Sequence, residues 1–127
     1  MPRLRAFLLG LWPVLIAAVV LFSLLPGSRM PDLPLSDKQE HFTAYLGLAV
    51  IPVAAVKRGR IALAAALSIA CLGVALEFFQ MRIPGRAFDA RDILANCIGV
   101  LIGTLAGLPL RRRVLTAGQT RYSPLDS

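Results

Sequence analysis

Four apolar runs dominate this chain, at residues 7–25, 42–56, 61–76 and 93–110, with short charged connectors between them. A hydrocarbon core about 30 Å thick takes about 20 apolar residues of helix to cross. The first and last runs come close to that length unaided, and the middle two reach it once their polar ends are counted. Ser36 stands three residues before Gln39 in a capping-box pattern, so the second helix is expected to start at Asp37 and run about 20 residues, roughly 30 Å, to Val56. Extending the third helix to Gln80 gives it the same length. Pro13 and Pro52 fall inside helices, as kinks that neighbouring helices tolerate. The pattern predicts an all-α membrane protein, a four-transmembrane-helix bundle at residues 1–110 followed by a basic tail at 111–127. Composition excludes the soluble alternative: 57% of the residues are hydrophobic and the mean hydropathy is +0.69, against an apolar share of roughly 45–50% in soluble domains.

Arg3 and Arg5 ahead of the first run have the look of a signal peptide. Its nineteen apolar residues exceed the 7–15 of a signal-peptide core, however, and Leu24-Leu25-Pro26-Gly27 offers no small-x-small cleavage site, so the helix is read as retained. Cys71 and Cys97 fall inside predicted helices and are read as free thiols acting as small apolar side chains. The net charge of +7 would ordinarily raise nucleic acid as a partner, but the basic residues lie between apolar runs instead of along one face, and no nucleic-acid role is expected. They read as topology. One side of the bundle carries Arg3, Arg5, Lys57, Arg58, Arg60, Arg111, Arg112, Arg113 and Arg121, nine basic residues, and the other carries five, at Arg29, Lys38, Arg82, Arg86 and Arg91. The richer side belongs in the cytoplasm. Both termini are therefore expected in the cytoplasm.

The unusual polar residues then gather at the opposite, extracytoplasmic end. Asp37, His41 and Tyr45 recur at i, i+4 and i+8 as one stripe on the second helix. Glu77 and Gln80 share a face at the end of the third, and Asp92 and Asn96, with Asp89 ahead of them, do so at the start of the fourth. Pro84-Gly85 has the order of a type II turn, expected to bring Arg86 toward the carboxylates. Below Asn96 the stripe continues as Gly99, Gly103 and Gly107, two overlapping GxxxG motifs that let helix backbones approach closely. That face is expected to turn into the bundle, and it is also the candidate surface for a homo-oligomer.

The string Asp37-Lys38-x-x-His41-Phe42-x-x-Tyr45, followed by Glu77-x-x-Gln80, Arg86, Asp92-x-x-x-Asn96 and Gly99, resembles the signature of VanZ-like membrane proteins over roughly residues 20–108. Asp89 lies outside that string. The resemblance implies a small bacterial integral membrane protein of the cell envelope, from a family named for antibiotic resistance to the glycopeptide teicoplanin. It supplies context and no mechanism.

Each polar residue carries a structural reading beside a functional one. Asp37 and Asp89 suit helix N-termini, where carboxylates meet the positive end of the dipole. Glu77 lies at a helix C-terminus, where its charge gains nothing from the dipole, so it is expected to need a partner among Arg86, Arg82, Lys38 and His41. His41 is the single histidine, spaced to meet Asp37; it is either a proton-handling group or a packing histidine. Tyr45 reads as an interfacial aromatic or a site residue, and Asn96 as a bridge between helices.

Three function classes follow. The first is a recognition module for a membrane lipid, a lipid-linked wall precursor or a glycopeptide, built on Asp37, Lys38, His41, Tyr45, Glu77, Gln80, Arg86, Asp92 and Asn96. The second is an intramembrane hydrolase or transferase, with His41, Glu77 and Asp92 as candidate catalytic groups and Lys38 or Arg86 holding an anionic substrate. No nucleophile elbow, HExxH motif or histidine pair occurs, so no cofactor and no zinc site is expected. An oxygen-preferring cation on Asp37, Glu77 and Asp92 stays open. The third, a transporter, is disfavoured, because the other half of the bundle offers only Ser68 and Thr104 as polar groups.

Overall fold

A computed structural model describes residues 2–116, so Arg121, Asp126 and the rest of the expected tail lie outside the described residues. Among the described residues there are four α-helices, one short 3-10 turn and no strand: α1 Pro2–Leu24, the turn Gly27–Arg29, α2 Asp37–Ala55, α3 Gly59–Gln80 and α4 Ala90–Thr116. Three of them, α1, α3 and α4, are long and apolar enough to cross a membrane. Past residue 110, α4 continues as a helix through Arg111, Arg112 and Arg113.

The exception is α2, whose first five residues are Asp37, Lys38, Gln39, Glu40 and His41. It is also the helix on which the bundle is built. Tyr45, Leu48, Ala49, Val53, Ala54 and Ala55 are all buried, and α2 packs most extensively against α4, then α3, then α1. By contrast, α1 buries no residue fully; Trp12, Leu15, Ile16 and Val19 lean on the core from outside. Deeper in α2, Tyr45 is thus covered by protein, which is where membrane bundles keep polar groups, while Asp37 and Gln39 at its first turn stay exposed.

Glycines on α4 make that packing possible. Gly99, Gly103 and Gly107 are buried against α2. A Cβ at Gly99 would stand 2.5 Å from the Phe42 carbonyl oxygen, and one at Gly103 would press on the carbonyl oxygen of Leu46. Within one chain, the glycine face expected to turn into the bundle lies against α2. Close backbone approach is what the GxxxG spacing encodes, and α2 of the same chain already supplies the partner.

The end of the bundle away from the polar residues is closed by arginines. Arg5 Nε donates to the Ala55 carbonyl at 2.9 Å, and Arg111 donates to those of Val53, at 3.1 Å, and Val56, at 2.6 Å, with a further bond to Lys57. These are carbonyls at the C-terminus of α2, which have no intrahelical donor and lie at the negative end of its dipole.

Candidate functional site

The opposite end of α2 is fixed by the capping box: Ser36 Oγ accepts from the Gln39 N–H at 3.3 Å, and Gln39 Oε1 accepts from the Ser36 N–H at 2.9 Å. Asp89, the residue before α4, does the equivalent work there by accepting from the Arg91 N–H at 2.8 Å. That bond first, and the Lys38 ammonium second, hold the Asp89 carboxyl below its ordinary range. Between α3 and α4 the chain makes the expected tight turn, with the Arg86 N–H donating to the Ile83 carbonyl at 3.1 Å and Gly85 at φ +75°. A Cβ is disfavoured at that φ, and Gly85 also lies against Gly27.

His41 is the hub of the site. Its Nδ1 lies 3.0 Å from Asn96 Oδ1; an amide oxygen can only accept, so Nδ1 carries the proton. Its Nε2 then faces Asp37 Oδ1 at 3.9 Å and Asp92 Oδ2 at 3.8 Å. Lys38 Nζ bridges Asp89 Oδ2 at 3.0 Å and Asp92 Oδ1 at 3.3 Å, tying the first turn of α2 to that of α4. Tyr45 stacks one turn below His41, with ring centroids 6.5 Å apart and planes 12° apart. It is buried in the core, not spread at a surface. Gly73 on α3 leaves room for both Tyr45 and Asn96, whose side chains would come within 3 Å of a Cβ there. Glu77, Gln80, Asp92 and Asn96 are each no more than 3% exposed, so the polar stripes of α3 and α4 do face protein.

Two expected pairings are corrected. Glu77 meets none of the four cations considered for it: its Oε1 accepts from the Asp89 backbone N–H at 2.9 Å, which ties the end of α3 to the start of α4. Arg86 does not approach the carboxylates. It donates to the carbonyls of Leu25, at 3.2 Å, and Phe22, at 3.0 Å, and contacts the Met30 sulfur. Gln80 likewise donates to the Ser23 carbonyl at 3.1 Å. The physical reason is shared, since the last carbonyls of α1 lack intrahelical donors and draw the nearest side-chain N–H groups. Asp37, Lys38, His41, Tyr45, Asp92 and Asn96 therefore form one connected group. Glu77 adjoins it through Asp89, and Gln80 and Arg86 serve α1.

Sequence reasoning missed two parts of the site. Asp89 is the nearer partner of Lys38, which only the fold reveals because the two are 51 positions apart. The irregular segment between α1 and α2 supplies Met30, Pro31, Leu33 and Leu35 as walls of two cavities. It has no periodicity to signal such a role. One cavity, of about 470 Å³, is polar and bordered by Asp32, Asp37, Glu40, Asp89 and Asp92 together with His41 and Arg86. The other, of about 590 Å³, is an apolar groove between α1 and α2 lined by residues such as Leu15, Val19, Phe22, Ala44 and Leu48. The two share His41, Gln80, Arg86 and the 30–35 segment.

No curated protein and no solved structure matches this chain. The VanZ/LLP1 family does, over residues 37–111, a stretch that contains α2, α3, most of α4 and every residue of the connected polar group. The chain belongs to the VanZ/LLP1 family, and its apolar helices make it a VanZ-like multi-pass membrane protein.

Proposed function

We propose that this protein recognises an amphiphilic, lipid-linked component of the bacterial cell envelope, with the polar head of the ligand in the cavity beside His41 and its chain in the groove between α1 and α2. The observation that carries the reading is the shared wall of the two cavities: a polar chamber of about 470 Å³ opens beside an apolar one of about 590 Å³. Together they have the amphipathic profile of a lipid and a size in the range of small-molecule sites, about 300–1,000 Å³ each. All four helices span the bacterial plasma membrane in this reading, α2 being shielded from lipid by its neighbours. Both termini lie in the cytoplasm, in keeping with the nine-to-five bias of basic residues and with Arg5 and Arg111 at the end of the bundle away from the site. The polar cavity then faces outward, where wall precursors and glycopeptides such as teicoplanin are met.

The test is a titration of the full chain, purified in detergent, with a lipid-linked wall precursor and with common phospholipids. Saturable binding of the precursor, lost in His41→Ala, is expected; no binding of any amphiphile sinks the reading. The second reading is an intramembrane hydrolase or transferase, and what favours it is an imidazole oriented by Asn96 with its other nitrogen near Asp92. Product formation in the same titration would put that reading first.

A further inference from the structure

His41 Nε2, an oxygen of Asp37 and an oxygen of Asp92 converge at the first turns of α2 and α4 without bonding one another. The Nε2 contacts, at 3.9 and 3.8 Å, exceed the 2.7–3.2 Å of an N–H···O bond. One donor atom from each residue nevertheless lies within 4.8 Å of the others. The ring is held by its bond to Asn96, so in its neutral form it presents the Nε2 lone pair to both carboxylates. Asp92 is 3% exposed, and its Oδ2 receives no hydrogen bond among the described residues, Lys38 being bonded to Oδ1. A lone pair and two carboxylate oxygens turned toward each other repel unless positive charge lies among them.

Carboxylates outnumber cationic side chains along the cavity wall. Five carboxylates border the polar cavity, at Asp32, Asp37, Glu40, Asp89 and Asp92. Of the nearby cations, Lys38 is shared between Asp89 and Asp92, and Arg86 is bound to carbonyls of α1.

We infer that Asp37, His41 and Asp92 form a divalent-cation site, binding through two carboxylate oxygens and one imidazole nitrogen, with Asn96 as the positioning residue that fixes the ring. Metal-binding histidines almost always donate their other ring N–H to an oxygen, which sets the tautomer and the ring angle. Asn96 does this at 3.0 Å. Two ligands held at about 2.1 Å from one ion stand at most about 4.2 Å apart; both Nε2 contacts lie under that limit and shorten as the carboxylates turn onto the ion. The Asp37 carboxylate, 59% exposed, has room to rotate onto the ion from the cavity side. Oxygen donors with one imidazole suit a first-row ion such as Mn²⁺, whose remaining positions face the cavity. A role for the ion in holding the head group rests on the envelope-ligand reading above: in a chamber bordered by carboxylates, it gives an anionic oxygen a positive contact.

The test uses the full chain in detergent, stripped with a chelator and titrated with Mn²⁺ while electron paramagnetic resonance follows free and bound ion. Saturation at one ion per chain is expected, with nitrogen hyperfine coupling in the bound spectrum. Asp37→Asn and His41→Gln should each weaken binding at least tenfold, and His41→Gln should abolish the nitrogen coupling. Asn96→Leu should weaken binding about 10–100-fold, the usual effect of losing such a partner. Asn96→Asp, which still accepts from Nδ1, should restore most of the affinity. Wild-type protein that binds no Mn²⁺ saturably, or binds it without nitrogen coupling, overturns the site whether or not the variants fold. Repeating the precursor titration with and without Mn²⁺ separates the two claims. Ion binding without precursor binding removes the envelope reading and leaves the cation site, and precursor binding by a chain with no Mn²⁺ affinity does the reverse.

Discussion

The indole N–H of Trp12 donates to the carbonyl oxygen of Leu48 at 2.8 Å. Leu48 is the residue whose carbonyl would bond the N–H of residue 52 in a regular α-helix, and residue 52 is a proline with no N–H to give. Trp12 therefore fastens the peripheral α1 to the central α2 at the one carbonyl that Pro52 frees. The bond should count for roughly 1 kcal/mol, the scale of hydrogen bonds between membrane helices. Trp12→Phe is expected to lower stability in detergent by about that amount, and the loss should shrink in a Pro52→Ala background, where the substitution returns a backbone N–H to the Leu48 carbonyl. An equal loss in both backgrounds would show that Trp12 acts through packing alone.

Gly103 is buried where α4 meets α2, and a Cβ there would press on the Leu46 carbonyl. Gly103→Ala should destabilise the bundle by about 1–3 kcal/mol, the range for overpacked interiors, and Gly103→Leu by more. Gly10, around which nothing lies within 4 Å, is the control: Gly10→Ala should leave the melting temperature within a degree or two. A tolerated Gly103→Leu would mean that α2 and α4 do not meet backbone to backbone.

Glu77 and Arg86 bind different partners, so they should not rescue each other. Arg86→Ala should loosen the end of α1, with faster hydrogen exchange around residues 22–25. Glu77→Gln should be mild, because an amide oxygen can still accept from the Asp89 N–H. The charge-swapped pair Glu77→Arg with Arg86→Glu should be at least as unstable as the worse single variant. Recovery in the swap would point to a direct ion pair between them.

Sidedness is tested with single cysteines after Cys71 and Cys97, both exposed, are changed to alanine. Leu33→Cys should react with an impermeant thiol reagent in intact cells, and Arg58→Cys only after lysis. The opposite pattern would put the polar cavity in the cytoplasm.

If the cavity meets an envelope ligand, expression in a susceptible Gram-positive host should raise tolerance to teicoplanin more than to vancomycin, since a glycopeptide carrying a lipid chain partitions to the membrane surface. His41→Ala and Asp92→Asn should remove the effect. Equal tolerance to both drugs, or none from well-expressed protein, would count against envelope recognition and favour the enzyme reading.

How much of this was legible beforehand depended on the range of the interaction. Ser36 and Gln39 announced the start of α2 because a capping box is local, and Pro84-Gly85 announced its turn for the same reason. The i, i+4 spacing placed Asp37 beside His41, and the glycine spacing placed Asn96 and Asp92 on an inward face. Where Arg86 would go was not legible: its guanidinium reaches many acceptors, and the open carbonyls at the end of α1 come near only when that helix docks. The same holds for Glu77, whose partner is a backbone N–H that leaves no mark in a sequence. By itself the sequence determined the four helices, the start of α2 and which faces turn inward, because 3.6-residue periodicity and caps act within one or two turns. The tertiary structure alone decided that α4 lies on α2 so that Asn96 holds the His41 ring between Asp37 and Asp92, because that arrangement rests on the close backbone approach of two helices more than 50 residues apart in the chain.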